Sequence, residues 1–114
     1  MSTDSGENYE RLRAFVREQG AALFGVADLS RLRSPHIGLR PETLEGIDRA
    51  VCYAYHLSDR ILEDLVDAPT RLYFFHYQRV NLFLDELGLK LAELIQSLGA
   101  EAIPIPASQI VDWQ

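Results

Sequence analysis

Cysteine is almost missing. Cys52 is the one thiol in 114 residues, so no disulfide closes within the chain. No zinc or iron–sulfur site can be built from cysteines of this chain alone. Within an apolar strand pattern, a lone cysteine reads as a small core residue. Lysine is equally scarce: Lys90 stands alone, and the remaining basic residues are scattered arginines against a net charge of −6. That pattern excludes the clustered Lys and Arg with which phosphate-backbone binders neutralise their ligand, and it gives no support to a membrane-surface role. No apolar run approaches the ~18 residues of a membrane-spanning helix. No dinucleotide fingerprint, phosphate-cradling Gly loop or G-x-S-x-G elbow occurs. The opening stretch MSTDSGENYE is polar and acidic, unlike a secretory leader, and cytoplasm is the expected compartment.

What remains is ordinary globular composition, 47% hydrophobic and 25% charged, in a length that allows one domain. Residues 1–7 are expected to be a disordered N-terminal segment and residues 8–114 a single α/β domain. The dominant feature runs from Thr70 to Gly99. Leu72, Val80, Phe83, Leu84, Leu87, Leu91, Leu94, Ile95 and Leu98 recur at steps of three and four, which predicts a long amphipathic helix. Thr70 is its expected N-cap and Gly99 its stop. Asn8 to Gln19 reads as a first helix, and Asp59 to Val66, capped by Ser58, as a short one with Ile61, Leu62, Leu65 and Val66 inward. Ala21 to Ala27 reads as a buried strand in which Gly25 allows a close approach of backbone or ligand. Ala50 to Leu57 reads as a central strand covered on both faces, with Val51, Tyr53 and Tyr55 on one side and Cys52, Ala54 and His56 on the other. The segment from Arg33 to Gly46, rich in Pro and Gly, reads as a connection. Glu101 to Ala107, with Pro104 and Pro106 on one side, reads as an edge strand or as an extended segment entering a cleft. The predicted architecture is thus an α/β layer structure of about three strands with one long helix. Three strands make a thin sheet, as in part of a larger domain. Ile110, Val111 and Trp113 close the sequence with apolar bulk, which is expected either to dock on this domain or to continue into further chain.

Chemistry-bearing residues are sparse. His36, His56 and His76 fall on a loop, a strand and the long helix, without metal-ligand spacing. His56 stands near a strand end, where it could serve a site at the carboxyl edge of the sheet, although a partly buried polar residue at a strand terminus is the favoured reading. Asp28 and Asp112 both follow strands, and either could act in acid–base work if burial tuned it; for Asp28 the cap of a short turn is the leading reading. Ser108 has no histidine partner in a recognisable elbow. No catalytic residue and no metal ligand is assigned. The strongest local feature is the aromatic cluster Tyr73, Phe74, Phe75 and Tyr77, which spans more than one helix face. Core or interface packing explains it; so would a second layer of protein, a flat cofactor or a partner subunit. A small-molecule pocket between Tyr53, Tyr55 and the long helix is a further reading.

Several stretches together resemble the N-terminal region of iron–sulfur proteins related to epoxyqueuosine reductase, and with them the corrinoid-dependent reductive dehalogenases. They are Gly25-Val26-Ala27-Asp28-Leu29; Arg49-Ala50-Val51; Pro69-Thr70 with Tyr73, Tyr77 and Asn81; and Ile103-Pro104-Ile105-Pro106-Ala107-Ser108. The resemblance implies a nitroreductase-like α/β domain that holds a corrinoid, followed by a ferredoxin-like domain with two four-iron–four-sulfur clusters that pass electrons to it. This chain resembles the first half of the corrinoid domain, without the later Gly-Trp-Ile-Gly-type segment and without the cluster cysteines. Where epoxyqueuosine reductases carry an aspartate in a Val-Asp-Thr run after the third strand, this sequence reads Ile105-Pro106-Ala107. Aligning the long helices places Asn81 where those enzymes have a histidine, with Tyr77 one turn earlier on the same face. The resemblance therefore points to the uncharacterised iron–sulfur members, with Tyr77 and Asn81 as the residues lining a corrinoid if one binds.

Two expectations follow. In one, the chain is the N-terminal module of a redox enzyme, inactive alone. Its partner is then a ferredoxin-like iron–sulfur domain in cis or in trans, and iron–sulfur clusters come only with that part. In the other, it is a stand-alone interaction or small-molecule-binding domain that forms a homodimer through its incomplete sheet and aromatic cluster.

Overall fold

The long periodic segment folds as predicted, as one helix of 27 residues. The computed structural model of the protein describes residues 5–31 and 40–107. In chain order these form α1 (Ser5–Glu18), β1 (Leu23–Asp28), a single 3-10 turn (Leu29–Arg31), β2 (Arg49–Ala54), α2 (Asp59–Glu63) and α3 (Arg71–Ser97). Helix α1 starts at Ser5, so part of the segment expected to be disordered is helical. His36, Ser108, Ile110, Val111, Asp112 and Trp113 lie outside the described residues.

Both ends of α3 follow from local chemistry. The Thr70 side chain accepts a hydrogen bond from the Tyr73 backbone N–H at 3.0 Å, satisfying one of the orphan donors of the first turn. At the other end Gly99 takes a φ of 97°, a conformation that L side chains rarely adopt. Thr70→Ala is therefore expected to lower stability by about 1 kcal/mol, with Thr70→Ser close to wild type; urea unfolding of the three proteins measures it. Ser58 occupies the N-cap of α2, but its side chain makes no capping bond. Instead the Ser58 backbone N–H donates to His76 Nε2 at 3.0 Å, tying the start of α2 to α3. Helix α2 also stops at Glu63, short of Val66, which is 84% exposed.

The sheet differs from expectation. Among the described residues it has two strands, antiparallel, in the register Phe24↔Tyr53, Val26↔Val51 and Asp28↔Arg49 on one face. Leu23↔Ala54, Gly25↔Cys52 and Ala27↔Ala50 alternate with these on the other. The first face carries the core side chains Phe24, Val51 and Tyr53. The second leaves Cys52 exposed and Leu23 65% exposed. Among the described residues β2 thus has one neighbouring strand and one covered face, and Cys52 is exposed rather than in the core. The apolar character of both faces of β2 predicted two covering layers, and the described residues supply one.

No third strand forms over 101–107. Pro104 and Pro106 remove two amide donors from any ladder there. The segment is held instead by a side chain: the Ala107 N–H donates to Asp85 Oδ1 on α3 at 2.7 Å.

The core is small. Among the described residues Val16, Ala21, Val80, Leu87, Leu91 and Ala92 are its buried apolar side chains, ringed by half-buried Leu12, Phe15, Phe24, Val51, Tyr53, Phe83 and Ile95. Leu72, predicted on the inner face of α3, is 54% exposed. The Cα radius of gyration is 16.4 Å, against about 13 Å for a closed domain of this length.

Candidate functional site

A cleft of about 1400 Å³ runs along the inner face of the sheet and the C-terminal half of α3. Helix α1 contributes Tyr9 and Leu12, β2 contributes Val51 and Tyr53, and α3 contributes residues from Leu84 to Ile95. The segment from Gly99 to Ala107 forms its far rim. The volume exceeds the roughly 300–1,000 Å³ of small-molecule pockets. Mostly apolar residues line it, and they are residues that a closed domain would bury.

The most specific geometry in the cleft centres on Tyr53. The strand pleat points this side chain toward α3, where its hydroxyl donates to the Leu84 carbonyl at 3.1 Å. Gly88 makes room for it: a Cβ built on Gly88 would lie 2.8 Å from Tyr53 Oη and 4.0 Å from Pro104 Cβ. Asp85, three residues earlier, holds Ala107. Together Tyr53, Asp85 and Gly88 clamp β2, α3 and the 99–107 segment at one point. Sequence patterning singled out neither Gly88 nor Asp85. The available signal was the glycine itself, which weakens a helix interior and there usually has a packing reason.

Burial pushes the Tyr53 hydroxyl above its ordinary pKa, and the Asp85 carboxylate adds to the shift. The folded state thus holds the phenol proton more tightly than the unfolded chain, whose tyrosines titrate near 10. The stabilisation is fully present below about pH 10 and is lost as pH rises through the folded value. Tyr53→Phe is expected to flatten the alkaline fall in stability, as urea midpoints between about pH 9 and 11 will show.

At the far end of the sheet, Asp28 acts as the predicted cap. Its Oδ1 accepts from the Ser30 hydroxyl at 2.7 Å and from the Ser30 N–H at 2.9 Å, and it pairs with Arg49 at 3.0 Å across the strands. The Ser30 bonds, foremost that of its hydroxyl, hold the carboxyl below its ordinary pKa, with Arg49 acting in the same direction. An aspartate so held is ionised at neutral pH and is an anchor rather than an acid. His56 pairs with Asp59 at 2.9 Å in full exposure, and His76 accepts from Ser58. These two histidines sit in different hydrogen-bonded pairs. Among the described residues no group of three or more His, Cys, Asp or Glu is placed to hold a metal ion.

Tyr77 and Asn81 are half-buried on α3, with the Tyr77 ring 6.1 Å from that of Tyr73. Neither lines the cleft, whose first α3 residue is Leu84. The aromatic cluster divides: Tyr73 and Tyr77 turn inward, while Phe74 and Phe75 are about half exposed. Tyr55 packs edge-on against Phe83 at 5.4 Å and lines no part of the cleft with Tyr53. A Cβ on Gly25 would meet nothing within 4 Å, so the approach expected there is left open by the described residues.

A corrinoid needs a broad apolar floor and polar partners around its amide-bearing rim. The cleft offers a floor, but the Tyr53 hydroxyl is already bonded to Leu84 and Tyr77 and Asn81 lie outside. Tyr77 and Asn81 therefore do not line a corrinoid placed in this cleft. No helix among them is long and apolar enough to cross a membrane. Comparison with protein-family models, curated proteins and solved structures found no match to the chain.

Proposed function

We propose that the chain is the N-terminal module of an iron–sulfur and corrinoid-type oxidoreductase related to epoxyqueuosine reductase, and that it is not catalytically competent alone. The observation that carries the reading is the open cleft. An apolar groove of about 1400 Å³ runs between the sheet and α3, over a core of few buried residues. Such a groove calls for more polypeptide over it, and the nitroreductase-like layering implied by the resemblance would provide that cover. Two stretches that carry the resemblance also lie side by side: Val26, Ala27 and Asp28 are the register partners of Val51, Ala50 and Arg49. A corrinoid would then be held jointly by this chain and the completing segment. Electrons would come from a ferredoxin-like domain in cis or in trans.

Genomic context tests this reading. The DNA following codon 114, or a neighbouring gene, is expected to encode a Cys-x-x-Cys-x-x-Cys-x-x-x-Cys-Pro run. Absence of both overturns it. A second reading, a stand-alone interaction domain that self-associates, is favoured by the exposure of Phe74 and Phe75 and of the outer sheet face around Leu23 and Cys52. A chain that stays monomeric with no ligand in light scattering would contradict that reading.

A further inference from the structure

The buried side of α3 faces the sheet, but its opposite side carries a second apolar stripe. Phe75, Leu82 and Leu89 are 51%, 52% and 60% exposed and recur at seven-residue intervals, about 10.5 Å apart along one side of the helix. A strict seven-residue spacing drifts only about 20° per repeat, the geometry of helices that pair as a shallow left-handed supercoil. Lys90 apart, the charges beside the stripe are segregated: Arg71 and Arg79 lie toward its N-terminal end, Glu86 and Glu93 toward its C-terminal end.

We propose that this face of α3 pairs with α3 of a second copy of the chain, antiparallel about a two-fold axis at Leu82. The axis seats Leu82 on Leu82 and Phe75 on the second copy's Leu89. Arg71, eleven residues before the axis, meets Glu93, eleven residues after it. Arg79, three residues before the axis, lies one residue (about 1.5 Å) off level with Glu86, four residues after it, within reach of the long arginine side chain. A two-fold interface repeats every contact, so four ion pairs flank three apolar contacts. Parallel pairing would set Arg71 on Arg71 and Glu93 on Glu93, which costs affinity. The charge order along the helix therefore selects both the occupant and its direction. The inference is independent of the redox reading: it uses the outer face of α3, while the cleft lies on the inner one.

The test is sedimentation velocity on the whole chain over a concentration series at low salt. Wild type is expected to move toward twice the monomer mass as concentration rises. Leu82→Arg, at an exposed position, is expected to abolish dimerisation while leaving cooperative unfolding intact. Arg79→Glu is expected to weaken the dimer by about tenfold or more, because each like-charge contact occurs twice. Adding Glu86→Arg to Arg79→Glu is expected to restore it. Three results overturn the proposal: a monomer at all concentrations, as when other polypeptide owns this face; a dimer indifferent to Leu82→Arg; or a charge swap that fails to restore association in a folded chain.

Discussion

Leu87→Ala is expected to lower the unfolding free energy by about 2–5 kcal/mol, a large share of the roughly 5–15 kcal/mol that holds a domain of this size. Leu87 is 2% exposed and belongs with Val16, Ala21 and Leu91 to the one buried cluster of the described residues. Removing its isobutyl group loses the transfer free energy and leaves a cavity. α1 and β1 can refill that cavity only by moving against α3. Urea denaturation should show a lower midpoint with an unchanged slope. Val66→Ala, at a position 84% exposed, should stay within about 0.5 kcal/mol of wild type. A loss below about 1 kcal/mol at Leu87 would mean that the stability of the chain lies elsewhere than in the α1–α3–sheet cluster.

The second large effect is a reversal of sign. Alanine is favoured over glycine by about 1 kcal/mol inside a helix, so Gly88→Ala would ordinarily stabilise α3. Here the added Cβ lies 2.8 Å from Tyr53 Oη. The ring must shift and the bond to Leu84 O must break, an overpacking cost of about 1–3 kcal/mol. Gly88→Ala is therefore expected to be neutral to destabilising in the wild-type chain. In the Tyr53→Phe background the hydroxyl is gone, and the same substitution should stabilise by up to about 1 kcal/mol. The double-mutant cycle should return a coupling of about 1–3 kcal/mol. An equal effect of Gly88→Ala in both backgrounds would remove the clamp from the account.

The contrast between α3 and the sheet shows what the sequence made legible. α3 was readable to within a residue or two because its period, the Thr70 cap and the Gly99 stop are local signals that agree. The strands were found for the same reason, as was the Asp28 cap. Their environment was not. Apolar residues on both faces of β2 record that two layers are wanted, but one strand cannot say whether the second layer is present. Cys52, expected in the core, is for that reason exposed among the described residues. Pro104 and Pro106 fit an edge strand or an extended segment at a cleft, and the structure has the second: Asp85 holds the segment at the cleft rim and no ladder forms. Gly88 escaped notice because its role depends on Tyr53, thirty-five residues away and on another element. Tyr77 and Asn81 came from aligning helix ends. The helix lies where expected, but the cleft begins one turn beyond Asn81.

The central claim is that the inner face of this domain is an open apolar wall awaiting other polypeptide. The direct measurement is a titration with 8-anilinonaphthalene sulfonate at neutral pH. Leu82→Arg is the protein to use, so that the outer stripe of α3 is broken, and near-UV circular dichroism shows that the chain is natively packed. The account predicts a saturable rise in dye emission from the packed state, with no loss of cooperative unfolding. A packed, cooperative chain that leaves the dye dark would contradict it: the cleft would then be closed, and nothing would remain for a second segment to complete.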